Sequence, residues 1–263
     1  MDIVGNIARI RERIAAACLR AGRRPEDVKL VAVSKTVSPE LIRQAFDAGL
    51  RDFGENRIQE AEAKRPALAD LDATWHLVGH LQTNKAKPAR ELFHWIHSVD
   101  SLRLAERLDK VAPPSGRLPI LLEVNLGEEP SKFGVREEEV VELAENVGRL
   151  PSLELRGLMV IPPFFEDPNE ARPFFRRLNE LAATIALRNL PGVSMQELSM
   201  GMSHDFEVAI EEGATIVRIG TAIFRAAVAA GFGPARGHGG NQKSKSKRQK
   251  AKMENTRLLT ADG

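Results

Sequence analysis

The sequence predicts an α/β fold: a single closed (β/α)8 TIM barrel with an extra N-terminal helix. Three observations carry that prediction. Eight short apolar runs alternate with amphipathic stretches of helical period over residues 2–224. Strands separated by helices pair in parallel, because each parallel pair needs a crossover. The 263 residues also match the roughly 250 that one such barrel takes.

The elements follow in order. An amphipathic helix over 2–21 comes first. "VKLVAVSK" is the first strand, and Ser38-Pro39 then opens a helix, as N-cap and first helical residue, that closes at Gly49. "RDFGEN" is the second strand, with a helix over 56–68. "TWHLVGH" is the third, followed by the helical "QTNKAKPARELF". "WIHSVD" is the fourth, before "SLRLAERLDKVA". "LPILLEVNL" is the fifth, before "REEEVVELAENVGRL". "LELRGLMVI" is the sixth, with a long helix over 168–189. "SMQELSMG" is the seventh, before "HDFEVAIEEG", and "TIVRIGTAIF" is the eighth. In such a barrel the C-terminal strand ends carry the chemistry.

Composition narrows the class. Apolar residues make up 43% and charged residues 28%, which suits a soluble globular protein. No apolar stretch approaches the roughly 20 residues of a membrane helix. The single cysteine, Cys18, rules out an intrachain disulfide and reads as a small core residue, so a cytoplasmic protein is expected. The net charge of +2 is uneven. From Arg236 onward eight Lys/Arg face two acids, which leaves −4 on the body. The body is therefore no basic nucleic-acid binder. The expected organisation is a barrel domain over 1–233 and a disordered basic tail over 234–263, since the tail's Gly, Lys and Ser cannot bury enough surface to order it. A tether to RNA or an acidic surface is the competing reading of that tail.

Lys35 ends the apolar run "LVAVSK". Burial favours the neutral amine that attacks a carbonyl, so a lysine at the mouth of an apolar barrel suits Schiff-base formation. Pairing with Glu55 is the plain alternative. In "VRIGTAIF" the last strand runs into Gly220 and Thr221. Glycine admits a ligand close to the backbone, and a helix start offers free N–H groups to an anion. "SMGMSHD" supplies Ser199 and Ser203 at the preceding strand end, so the two segments together read as a phosphate cup, where barrels commonly place one. Arg218, two residues before Gly220, points either into the mouth, where its fixed charge needs an acceptor, or outward to a salt bridge.

An amine, a phosphate cup and an arginine together describe a site for pyridoxal 5′-phosphate (PLP). The stretches "LVAVSKTVSPELIRQAFDAGLRDFGENRIQEAEAK", "WHLVGHLQTNK", "VNLGEEPSKFG", "RGLMVI" and "LSMGMSHDFEVAIEEGATIVRIGTAIF" resemble the pyridoxal-phosphate homeostasis protein family, related to the barrel domain of fold-type III PLP enzymes such as alanine racemase. The resemblance covers most of residues 1–224. It implies that Lys35 forms the Schiff base and that the phosphate lies near Ser203, Gly220 and Thr221. It sets Arg218 against the pyridine nitrogen, makes Asn56 and Met200 pocket residues, and gives Lys132 a part in PLP handling. One departure is Arg225, where the family pattern has glycine.

The resemblance leaves two functions. A racemase of the related kind needs a second acid/base, there a tyrosine from a second domain. This chain contains no tyrosine, and little of it follows residue 235. The favoured expectation is a non-catalytic PLP carrier, a monomer that buffers the cofactor and passes it to apo PLP-dependent enzymes. A weak amino-acid racemase or decarboxylase is the alternative, with His80 or His204 as substitute bases. "HLVGH" has the spacing of metal ligands on a helix but falls on a strand, so no metal is assigned. Glu123 and Asp205 read as salt-bridge partners.

Overall fold

The computed structural model describes residues 2–113, 116–127 and 133–224. The eight expected strands are β1 (Lys29–Val33), β2 (Asp52–Glu55), β3 (Thr74–Leu77), β4 (Trp95–Val99), β5 (Leu118–Asn125), β7 (Leu153–Met159), β8 (Val193–Ser199) and β9 (Ile216–Ile219). Every neighbouring pair is parallel. The ring closes through β1 beside β9, where Ala32 faces Ile219, and β4 beside β5, where Ile96 faces Ile120. A two-residue strand absent from the sequence reading, β6 (Val135–Arg136), adds to the end of β5. The described residues belong to one compact unit, Met1–Val228. The expected boundary near 233, the tail 234–263, Lys132 and Arg225 lie outside the described residues.

Helices α1 (Ile3–Arg20), α2 (Pro39–Asp47), α3 (Ile58–Lys64), α4 (Ala86–Leu92), α5 (Leu102–Lys110), α6 (Val140–Gly148), α7 (Arg172–Ala186) and α8 (Phe206–Glu211) flank the ring. The extra helix α1 starts where Asp2 accepts a hydrogen bond from the Gly5 N–H at 2.8 Å. Its Ile3, Ile7, Ile10, Ile14, Ala17 and Cys18 recur at three- and four-residue steps and are all buried. Arg13 and Arg20 pair with Glu207 and Glu211 of α8, and Asn6 Nδ2 donates to the Ile223 carbonyl at 2.8 Å. Several helices are shorter than the periodicity predicts, and in two of them a proline accounts for it. Proline is at home in a first turn but not in a helix interior, so 3₁₀ turns at Arg65–Leu68 and Pro168–Ala171 take up the predicted ends.

A belt between the strands and helices forms the main apolar core, with Phe53, Trp75, Phe175, Phe206 and Phe224 fully buried. Inside the ring the apolar part is small: Val31, Leu121, Met159 and Ile216, with Trp95 against them. The remaining interior is polar, and that sets up the site. No helix among the described residues is long and apolar enough to cross a membrane.

Candidate functional site

The strand carrying Lys35 ends earlier than the sequence suggests. β1 stops at Val33, and the Ser34 N–H makes one more bond to the Gly54 carbonyl at 2.8 Å. Thr36 then takes φ +59°. For a β-branched residue this left-handed conformation costs about 1–2 kcal/mol. It is held by the Thr36 N–H donating to Glu60 Oε2 at 3.0 Å and Oγ1 donating to the Lys35 carbonyl at 2.6 Å. The turn lifts Lys35 onto the rim. Its side chain is exposed, not buried as the apolar run predicts, and Nζ has no hydrogen bond or ion pair among the described residues.

The alternative pairing of Lys35 with Glu55 does not occur. Glu55 is fully buried, and its Oε1 accepts from Ser34 Oγ at 2.8 Å and from Lys64 Nζ at 2.8 Å. Lys64 also donates to the Ser34 carbonyl at 2.7 Å and lies 3.7 Å from Glu60. Burial pushes the Glu55 carboxyl up, and Lys64 pulls it back. The clamp thus grips both sides of Lys35, at Ser34 directly and at Thr36 through Glu60. The i, i+4 spacing of Glu60 and Lys64 was its only trace in the sequence.

Arg218 points inward and is buried. Its Nη1 donates to Ser199 Oγ at 2.7 Å and its Nη2 to the Val160 carbonyl at 2.9 Å. Burial lowers its guanidinium to about 10, while Glu123 and Asp205 favour the charged form. It stays cationic at neutral pH, yet no carboxylate touches it among the described residues. The expected salt bridges of Glu123 and Asp205 are likewise absent there. Asp205 instead accepts from the Met202 N–H at 2.6 Å. Glu123 Oε2 is buried without a partner among the described residues, and burial raises this carboxyl to about 7 against the pull of Arg218.

Ser203 and the Gly220–Thr221 turn come together as expected: Ser203 Oγ accepts from the Ala222 N–H at 3.4 Å, where a helix begins at Thr221. The β1–β9 register carries Gly220 beside Val33, two residues from Lys35. A Cβ there would stand 3.0 Å from the Val33 carbonyl oxygen, so any larger residue would press the turn outward by a few tenths of an ångström. Gly201, at φ +90°, makes the bend that packs α8 beneath Ser203. Ser199 does not join the cup. It is fully buried inside the ring, because the cup starts only where the chain leaves β8. Met200 is buried in the core, and its N–H donates to the Ile216 carbonyl at 3.1 Å. Asn56 lies across the mouth, lining a cleft of about 690 Å³ with Arg57, Lys85, His80 and Phe133. His80 stacks on Phe133 at 3.6 Å between centroids, and its Nδ1 lies 3.3 Å from Asp100. His204 bonds the Glu166 carbonyl at 3.0 Å. No group of three or more His, Cys, Asp and Glu that could hold a metal occurs among the described residues.

The mouth therefore presents an unpartnered amine, a hydroxyl-and-helix-start turn and a buried cation on the adjoining ends of β1, β8 and β9. Of the residues that tie this region to the ring, Lys64, Glu60 and Asp52 escaped the sequence reading, and His76 and His97 entered it only through a spacing weighed and set aside for a metal. Residues 6–227 match the family model for the alanine racemase N-terminal domain. The pyridoxal phosphate homeostasis protein of Aquifex aeolicus is 48% identical over 225 residues, covering 85% of this chain and 98% of that protein. The protein of the same name from Escherichia coli is 43% identical over 229 residues, covering 86% and 97%. The structure of PipY from Synechococcus elongatus with PLP bound has 45% identity and a TM-score of 0.72, covering 82% of this chain and 99% of that one. An alanine racemase from Clostridium difficile, at 14% identity and TM-score 0.65, shares the fold.

Proposed function

Because this chain belongs to the pyridoxal phosphate homeostasis protein family, we propose that it holds PLP through a Schiff base to Lys35 and keeps the cofactor available to apo-enzymes, without turning over a substrate of its own. The observation that carries this reading is the free amine of Lys35 beside the Gly220 turn. A related chain, PipY, has been solved with PLP bound.

The residues present fit the group. PLP brings an aldehyde, a phosphate and a pyridine ring, and its aldehyde carbon supplies reversible condensation with an amine. Lys35 would meet the aldehyde. Ser203, Gly220 and Thr221 would hold the phosphate, with a hydroxyl and the N–H groups of a helix start. Arg218 would serve the ring nitrogen. Its positive charge, touched by no carboxylate among the described residues, would disfavour a second positive charge on the ring and so weaken the ring as an electron sink. Asn56 and Met200 bound the pocket. Such a site retains an aldehyde better than it labilises an amino acid. As a carrier the protein would act as a cytoplasmic monomer.

The competing reading is a weak amino-acid racemase or decarboxylase, with His80, paired to Asp100 at the mouth, as its acid–base group. Mixing the protein with PLP, reducing with borohydride and mapping peptides by mass should find the label on Lys35. A label elsewhere, or none, would remove the proposal. Incubating the loaded protein with L-amino acids should give no D-enantiomer, and turnover above about 1 s⁻¹ would establish an enzyme instead.

A further inference from the structure

Five polar side chains from five strands make one hydrogen-bonded line through the barrel. Arg218 of β9 donates to Ser199 Oγ of β8 at 2.7 Å. Ser199 Oγ lies 2.9 Å from His97 Nδ1 of β4. His97 Nε2 lies 3.0 Å from His76 Nδ1 of β3, and His76 Nε2 lies 2.9 Å from Asp52 Oδ1 of β2. Ser199 and both histidines are fully buried. Asp52 heads its strand, so the line runs from the mouth to the N-terminal end of the ring. Bulky aliphatic residues usually fill this space.

Chemistry at the two ends sets the direction. A guanidinium only donates, an ionised carboxylate only accepts, and a neutral imidazole does one at each nitrogen. One assignment then fills every link. Arg218 donates to Ser199, Ser199 to His97 Nδ1, His97 Nε2–H to His76 Nδ1, and His76 Nε2–H to Asp52. Both rings are neutral Nε2–H tautomers. Burial holds both histidines below their ordinary range, His97 furthest, with Lys29 repelling a proton on either.

We propose that Ser199, His97, His76 and Asp52 are positioning residues for Arg218, a one-way donor line that fixes the guanidinium's aim and carries the state of Asp52 to the mouth. Its functional consequence rests on the reading that Arg218 faces the PLP ring. Two nitrogens of Arg218 are committed, to Ser199 and Val160. Three of its five N–H bonds remain for a ligand. Without Asp52 only the Arg218 end biases the direction, and the reverse one becomes accessible. His76 Nδ1–H can then donate to His97, and His97 Nδ1–H to Ser199, which would meet two donors and redirect its own proton.

The test is long-range ¹H–¹⁵N correlation of the full, ligand-free chain at pH 7, which reads the tautomer of each ring. The wild type should show Nε2–H alone at both His76 and His97, and Asp52→Ala should bring in the Nδ1–H form at both, although Asp52 does not touch His97. A purely structural role would leave His97 unchanged. An Nδ1–H or doubly protonated ring in the wild type overturns the line even if the variant does not fold, as does an unmoved His97 in Asp52→Ala. In the second arm, Ser199→Ala should weaken PLP binding about tenfold by removing a charge-assisted bond. Unchanged affinity refutes the positioning role. A wild type that binds no PLP would sink the proposed function instead, and the tautomers would still judge the line.

Discussion

Lys35 and Lys64 share one corner of the barrel and live in opposite conditions. Lys64 is nearly enclosed, and its three donors meet a carboxylate, a carbonyl and a second carboxylate at longer range. Lys35, next in sequence to the Ser34 that Lys64 grips, stands exposed with no partner for its amine among the described residues. The difference teaches which lysine can do chemistry. A satisfied ammonium is committed to holding buried charge, whereas an unsatisfied one is free to meet a ligand. The strained Thr36 and the clamp around Glu55 and Glu60 keep Lys35 on the rim.

The comparison breaks first on stability. Lys64→Ala strands the Glu55 carboxylate in the interior and should cost about 3–5 kcal/mol in urea unfolding at pH 7. Lys35→Ala should change stability by no more than about 0.5 kcal/mol while removing the borohydride label. Equal losses in the two variants would erase the distinction.

Glu123 extends the contrast, because it is a buried carboxyl that meets no lysine among the described residues. The fold holds its proton up to about pH 7, against an ordinary 4.5. The folded chain binds that proton more tightly. The stabilising contribution is therefore complete below pH 4.5 and is lost as pH rises through 7. Glu123→Gln keeps the neutral shape, so its advantage over wild type should be absent below about pH 4.5 and reach about 3 kcal/mol by about pH 8. A stability difference that does not vary with pH would show that Arg218 keeps this carboxylate ionised. The smallest effect concerns the turn itself. Thr36→Gly relieves a left-handed β-branched residue and should raise stability by up to about 1 kcal/mol. A fall in the thermal midpoint would mean that the Thr36 hydroxyl bond outweighs the strain.

Much was legible in the residues alone. Short apolar runs alternating with stretches of helical period marked eight strands and the helices between them, and the strand count with the chain length closed the ring. "LVAVSK", "SMGMSHD" and "VRIGTAIF" marked the strand ends that meet at the mouth, because strand ends in a parallel barrel are local features of the pattern. The errors are of another kind. The sequence reading buried Lys35, offered Glu55 as its alternative partner and put Ser199 in the cup. Each depends on one or two residues of strand length, and a left-handed turn at a threonine has no compositional signature.

Local pattern is enough for the barrel and for the order in which its candidate groups arrive at the rim, since hydrophobic periodicity and turn residues act over a few neighbours. Which charges are satisfied depends on the closed ring. Glu55 meets Lys64 across nine residues, and Asp52 reaches Arg218 through three side chains from three other strands. Such pairings exist only after the ring closes, because hydrogen bonding inside it depends on angstrom-scale distances between strands that the chain itself keeps far apart.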